Sequence, residues 1–199
     1  MDLHWRFDLA FLTMKQRNEL VEGFDAFVQK HMDAGWHAYL VTFMFRQLAG
    51  GNSAKINQMK RAVEKWYSTF LTRVVRFTKA KCDKPILIGM PDLPVAKSGK
   101  KSATMDVLVN DGLHVHGILL IPRKSRLTTP LKDHLDAHAD TYLGRRDIIE
   151  RLEVDPIVTK ASCKVTDYVF KGLQRGLSYD DLIVLPKSFS ELAKTDRRA

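Results

Sequence analysis

Cysteine is almost absent from this 199-residue chain. Cys82 and Cys163 are too few for a disulfide framework or a four-cysteine zinc site, and their scarcity predicts a cytoplasmic protein with reduced thiols. Long apolar runs are missing as well. No stretch approaches the roughly 20 residues of a membrane-spanning helix. The N-terminus, with Asp2, Arg6 and Asp8 among its apolar residues, lacks the plan of a secretory signal. There is no internal repeat, low-complexity tract or linker-like segment. Acidic residues are in deficit, 23 against 32 Lys and Arg, for a net charge of +9. That excess favours a polyanionic partner, nucleic acid first and an acidic membrane second. Hydrophobic residues still make up 45% of the chain, enough for the core of one domain.

Apolar periodicity predicts a helix over 14–34, where Leu20, Val21, Phe24, Phe27, Val28 and Met32 recur at three and four before Gly35. Tyr39 to Phe45 is a β-rich run, apolar on both faces apart from Thr42, and reads as an interior strand. Ser53 is the expected cap of a helix running to about Lys81, with Ile56, Met59, Val63, Trp66, Phe70, Val74 and Phe77 as its stripe. A strand follows from Pro85 to Met90. The segment Pro91 to Thr104, which holds Lys97, Lys100 and Lys101, reads as an exposed basic loop. Met105–Val109 and Leu113–Ile121 are expected to form a hairpin around Asn110-Asp111-Gly112. A second basic turn with Arg123, Lys124 and Arg126 leads to a helix from about Thr129 to Tyr142. A strand within Ile149–Val158 and a helix from Thr159 or Ser162 to Gly176 complete the order. That order predicts an α+β fold of the split βαβ (ferredoxin/RRM-like) kind. Helices would pack on an antiparallel sheet of about five strands. Residues 1–35 would be a helical extension packed on a core of 36–199, within a single globular domain.

His114-Val115-His116 carries the most chemical information. A strand sends alternate side chains to one face, so both imidazoles point the same way and can grip a metal ion together. If the loop has three residues with Gly112 left-handed, Asp106 lies opposite His116 and joins the histidine face. A two-residue Asp111-Gly112 turn shifts the register by one and points Asp106 away. Two imidazoles and a carboxylate can hold a divalent ion with positions left for water or phosphate. The competing interpretation is a pair of hydrogen-bonded sheet histidines. His134 and His138, one helical turn apart among Asp133, Asp136 and Asp140, lack the glutamate of a zinc peptidase motif and read as a solvated helix face.

On the last helix Val165, Val169 and Leu173 form the apolar stripe. Lys164, Tyr168, Lys171 and Arg175 line up on another side, within about one-sixth of the circumference. A tyrosine that only filled the core would share the stripe. Beside three cations, its oxygen is placed where negative charge is stabilised and phosphate attracted. An ordinary tyrosine beside solvated lysines is the alternative. Tyr142 and Tyr179 have no such row around them.

These motifs resemble the HUH superfamily of single-strand DNA endonucleases, and within it the single-tyrosine rolling-circle replication initiators. The resemblance rests on Tyr39-Leu40-Val41-Thr42-Phe43, on His114-Val115-His116 and on Tyr168-Val169-Phe170-Lys171, and spans about 36–176. It implies that His114 and His116 bind Mg²⁺ or Mn²⁺. Asp106 stands eight residues before His114, where viral-type initiators often carry an acidic ligand, usually glutamate; the shorter side chain leaves the third ligand open. Tyr168 matches the nucleophile and Lys171 the lysine one turn along. Gly172 stands where a second tyrosine would be, and no third histidine of the relaxase kind lies near the pair.

The implied activity is nicking and joining of single-stranded DNA, at an origin or hairpin, through a 5′-phosphotyrosine intermediate. It would initiate rolling-circle replication of a plasmid or phage-like element. Because the chain ends soon after the tyrosine motif, a host helicase is expected to act separately. Lys97, Lys100, Lys101, Arg123, Lys124 and Arg126, with Lys164 and Arg175, would track the DNA backbone, and no membrane partner is expected. A single-tyrosine transposase would use the same chemistry. Outside the family, the alternatives are a non-catalytic basic nucleic-acid-binding module and a metal-dependent hydrolase of small phosphate esters.

Overall fold

The computed structural model describes residues 12–75, 83–93, 112–145, 147–158 and 162–187. Thr13 opens helix α1 (Met14–Asp33) with a capping box: its hydroxyl accepts from the Gln16 N–H, and the Gln16 side chain accepts from the Thr13 N–H. Strand β1 (His37–Phe45) and the long helix α2 (Asn52–Val74) follow, then β2 (Ile86–Asp92) and β3 (His114–Ile121). Two short helices, α3 (Leu131–Ala137) and α4 (Ala139–Tyr142), lead to β4 (Ile149–Pro156). Helices α5 (Ser162–Val169) and α6 (Lys171–Gln174), a 3-10 turn at Tyr179–Asp181 and the short strand β5 (Ile183–Leu185) complete the described chain.

The sheet order is β4-β1-β3-β2-β5, with every neighbouring pair antiparallel. Strands β1 and β2, joined through α2, flank β3; strands β3 and β4, joined through α3 and α4, flank β1. Two split βαβ units therefore interleave, as the order of elements predicts. The central strand β3 reads as a continuous apolar run because both its faces are covered. Val115, Leu119 and Ile121 face α2, where they join Phe43, Trp66 and Phe70 in the larger core. Ile118 and Leu120 face the other way, with Ile88, Met90, Val28 and Phe170, under α1, α5 and α6. The histidines share this second face by the period of two.

Several expectations are corrected. Helix α2 begins at Asn52 with Gly51 as its cap, so Ser53 lies inside it and caps nothing. It ends at Val74 because Val75 is extended (φ −117°, ψ 133°). Its buried stripe is the expected one with Tyr67 added, and Phe77 lies outside the described residues. Phe27 is 38% exposed, set against the His31 ring instead of the core. The helix expected over 129–142 breaks at His138, and the last helix breaks at Phe170.

The fifth strand of the sheet is β5, and the strand expected over 105–109 lies outside the described residues. Both edges of β3 are taken along its length, from Met44↔His114 to His37↔Ile121 on one side and from Asp92↔His114 to Ile86↔Leu120 on the other. A strand has two edges, so the register pairing Asp106 with His116 has none left to form on. Asp106 itself, with Lys97, Lys100 and Lys101, lies outside the described residues. Gly112 does take the expected left-handed conformation (φ 65°) immediately before β3.

Candidate metal and tyrosine centre

The carboxylate beside the histidines comes from β2. Pairing of β2 with β5 stops at Gly89, and beyond it the strand continues on β3 alone through Met90, Pro91 and Asp92. A proline is tolerated there because that edge no longer faces β5. Two residues on from Met90, Asp92 points to the same face and stands opposite His114. Among the described residues, Asp92, His114 and His116 each offer a ligand atom, all within 4.8 Å of one another. Asp92 Oδ2 lies 3.7 Å from His116 Nε2.

Those separations suit a single ion. Ligand atoms at about 2.1 Å from a common metal stand about 3–4 Å apart, so a modest side-chain adjustment closes the set. Thr42, directly across from His116 on β1, prepares the imidazole: its Oγ1 is 3.0 Å from Nδ1. The far nitrogen, Nε2, lies 3.3 Å from Lys171 Nζ. An ammonium has only donors, so Nε2 is the acceptor in that contact and carries the lone pair. The ring proton then sits on Nδ1 and is donated to Thr42 Oγ1. A metal-binding imidazole needs this arrangement, with one nitrogen anchored by the protein and the other free to coordinate.

Helices α5 and α6 bring the remaining groups. Tyr168 is 43% exposed, its hydroxyl 3.3 Å from His116 Nε2 and the two rings 4.7 Å apart. Lys171 Nζ lies 2.8 Å from Asp92 Oδ2 and 4.2 Å from the centre of the Tyr168 ring. Arg175 holds the other carboxylate oxygen, Oδ1, at 2.5 Å. Burial pushes the Asp92 carboxyl up, but the Lys171 and Arg175 cations outweigh it and hold the group well below the ordinary carboxylate range. Gly172 lets α6 come this close: a Cβ there would meet the Pro91 carbonyl oxygen at 2.8 Å and Leu177 Cδ1 at 2.9 Å. On the other side, α1 fixes α5, with Phe24 stacked on Phe170 at 5.0 Å and buried Thr166 donating to Asp25 at 3.2 Å.

The structure thus brings His114, His116, Tyr168, Lys171 and Arg175 together and adds Asp92 and Thr42. Lys164 is exposed on α5 and takes no part in these contacts. Arg123, Lys124 and Arg126 follow the far end of β3, about 23 Å from His114 at strand rise. Tyr142 lies away from this group. It is buried in the core on the α2 side of the sheet, its hydroxyl lies 2.9 Å from His134 Nε2, and burial pushes its pKa up to about 12. His134 and His138 stack on each other at 4.6 Å, so His134 is tied to the core and is not simply a solvated face. Tyr179 is exposed on the turn before β5. A cleft of about 440 Å³ beside Trp66 and Tyr142 also opens on the α2 side, away from the histidines. The missed carboxylate had one signal: a lone acid two residues past an apolar strand, at the period that returns it to the Ile88–Met90 face.

Among the described residues no helix is long and apolar enough to cross a membrane. No protein-family model, curated protein or solved structure matches the chain.

Proposed function

We propose that the protein is a metal-dependent enzyme that nicks and rejoins single-stranded DNA through a covalent bond between Tyr168 and the 5′ side of the cut. One observation carries the proposal: the Tyr168 hydroxyl stands 3.3 Å from His116, a member of the Asp92–His114–His116 group. With 43% of its surface exposed, Tyr168 is not there to fill the core. It faces solvent beside the ligand atoms, where a phosphate could lie.

Asp92, His114 and His116 would hold Mn²⁺ or Mg²⁺, and the bound ion would withdraw charge from a non-bridging phosphate oxygen. Two imidazoles in the set favour Mn²⁺, since Mg²⁺ prefers all-oxygen ligation. The Tyr168 oxygen attacks phosphorus in line. Its O–P bond forms as the bond to the 3′ oxygen breaks; the phenolic proton passes to solvent, and the leaving oxygen takes one up as a 3′-hydroxyl. Lys171, over the Tyr168 ring, is placed to offset charge gathering on the phosphoryl oxygens. One phosphate ester replaces another, so a 3′-hydroxyl can run the step backwards and rejoin a strand without ATP. The net charge of +9 agrees with a polyanionic substrate. Initiation of rolling-circle replication is the role that the HUH resemblance suggests, and transposition would use the same step.

Incubation with Mn²⁺ and single-stranded oligonucleotides, hairpins included, tests the proposal on a denaturing gel. Wild type should give a protein-linked strand that Tyr168→Phe does not. Mass spectrometry should place the nucleotide on the peptide containing Tyr168. Cleavage with no linked strand would point to a hydrolase, and binding with neither product to a non-catalytic module.

A further inference from the structure

We propose that Lys171 is a built-in competitor of the metal. Its ammonium and a divalent ion exclude each other from Asp92 and His116, so metal uptake releases Lys171 from the ligands and frees it to meet the phosphate. The inference rests on the metal site proposed above and concerns its regulation.

Three distances carry it. Asp92 Oδ2 and His116 Nε2 are 3.7 Å apart, and Lys171 Nζ lies 2.8 Å from the first and 3.3 Å from the second. An ion at about 2.1 Å from both ligand atoms must sit on a small ring around the line joining them. Every point of that ring is within about 3.4 Å of Nζ, by triangulation from the same distances. A double and a single positive charge that close repel strongly, since little water fits between them. The lone pair adds a stricter condition. Nε2 has one, and it can accept a proton from Lys171 or bind a metal, not both. Thr42 holds the other nitrogen, so the ring cannot offer a second lone pair by turning over without losing that contact.

The way out is also visible. Lys171 is partly exposed, its side chain at 21%, and Nζ already lies over the Tyr168 ring. A long, flexible stem lets the ammonium leave Asp92 without moving α6. Arg175 keeps Oδ1, so the carboxylate stays oriented while Oδ2 changes partner. The lysine would therefore stand in as the cation of the site and become available to phosphate once the ion has taken its place.

Two measurements on the full chain test this. The first is an equilibrium Mn²⁺ titration, followed by the electron paramagnetic resonance of free Mn²⁺. Lys171→Met should bind at least about tenfold more tightly than wild type, because a repelling charge is gone. The second uses wild type alone: brief acetylation of amines followed by mass spectrometry should label Lys171 several-fold more with saturating Mn²⁺ than without. If Lys171→Met does not fold, the labelling result decides. Equal or weaker Mn²⁺ binding by a folded Lys171→Met, or labelling that Mn²⁺ leaves unchanged, overturns the competition and spares the metal site. No Mn²⁺ binding by wild type, or undiminished binding by His114→Ala/His116→Ala, overturns both.

Discussion

Asp92→Asn separates the two jobs that one carboxylate performs. The side chain is 11% exposed and holds Lys171 at 2.8 Å and Arg175 at 2.5 Å. At an effective dielectric of about 20, each contact is worth about 6 kcal/mol before solvation is counted. Most of that is offset. Burial of the carboxylate costs several kcal/mol, and both cations retain a path to water, Arg175 most of all at 42%. Breaking a fully buried pair costs about 3–5 kcal/mol, so about 2–3 kcal/mol is expected here. For a chain of this size that corresponds to a melting temperature lower by about 4–12 °C, measured in the presence of a chelator. Removing the anionic member of the Asp92–His114–His116 group should also weaken Mn²⁺ binding by more than the about 10–100-fold that groups contacting a ligand from behind are worth. Wild-type Mn²⁺ affinity in Asp92→Asn would refute the assignment.

Three other outcomes are expected. Lys171→Ala should slow formation of the covalent adduct without preventing it, since the cation lowers the barrier but forms no bond; a single-turnover time course that ends with no adduct would contradict this. Gly172→Ala should cost about 1–3 kcal/mol by overpacking against the Pro91 carbonyl and should weaken Mn²⁺ binding as α6 shifts; an unchanged denaturation midpoint would show that the backbone yields freely there. His134 has its pKa lowered by burial, then by His138 and Arg73, so the stability it lends is complete above the unfolded value near 6.5 and lost as pH falls below it. Wild type should accordingly lose more stability between about pH 7.5 and about pH 5 than His134→Gln, and equal losses in denaturant titrations would show that the ring is not held neutral.

Much of the fold was legible because periodicity reports faces. The stripe of α2 and the shared face of His114 and His116 follow from 3.6 and 2.0 residues per repeat, whatever else packs nearby. Neighbours are another matter. Asn110-Asp111-Gly112 invites a local hairpin, and local pairing is the simplest explanation of two apolar runs around a turn. The observed partner of β3 on that side is β2, separated from it by 21 residues, and no short-range pattern reports such a pairing. Pro91 compounded the error. It reads as the end of a strand, yet it lies where β5 has stopped pairing and no donor is required of that edge. Asp92 was therefore hidden behind a residue that usually marks a loop.

Tyr168 was legible for the opposite reason, since it departs from the stripe that Val165 and Val169 define. The position of that helix, however, depends on residues the motif does not contain. Phe170, next to the break between α5 and α6, is 1% exposed and stacks on Phe24 of α1. Buried Thr166 donates to Asp25 of the same helix. Helix α1 thus forms one wall of the core whose other wall is the histidine face of the sheet. A tyrosine–histidine contact of 3.3 Å spans the seam between a strand and a helix that share no backbone hydrogen bonds. It holds only as firmly as the packing behind the helix. On this account the segment that looks like an extension in sequence sets the distance between the tyrosine and the histidine face, and Tyr168 reaches His116 because Phe24 and Asp25 hold α5 against the sheet.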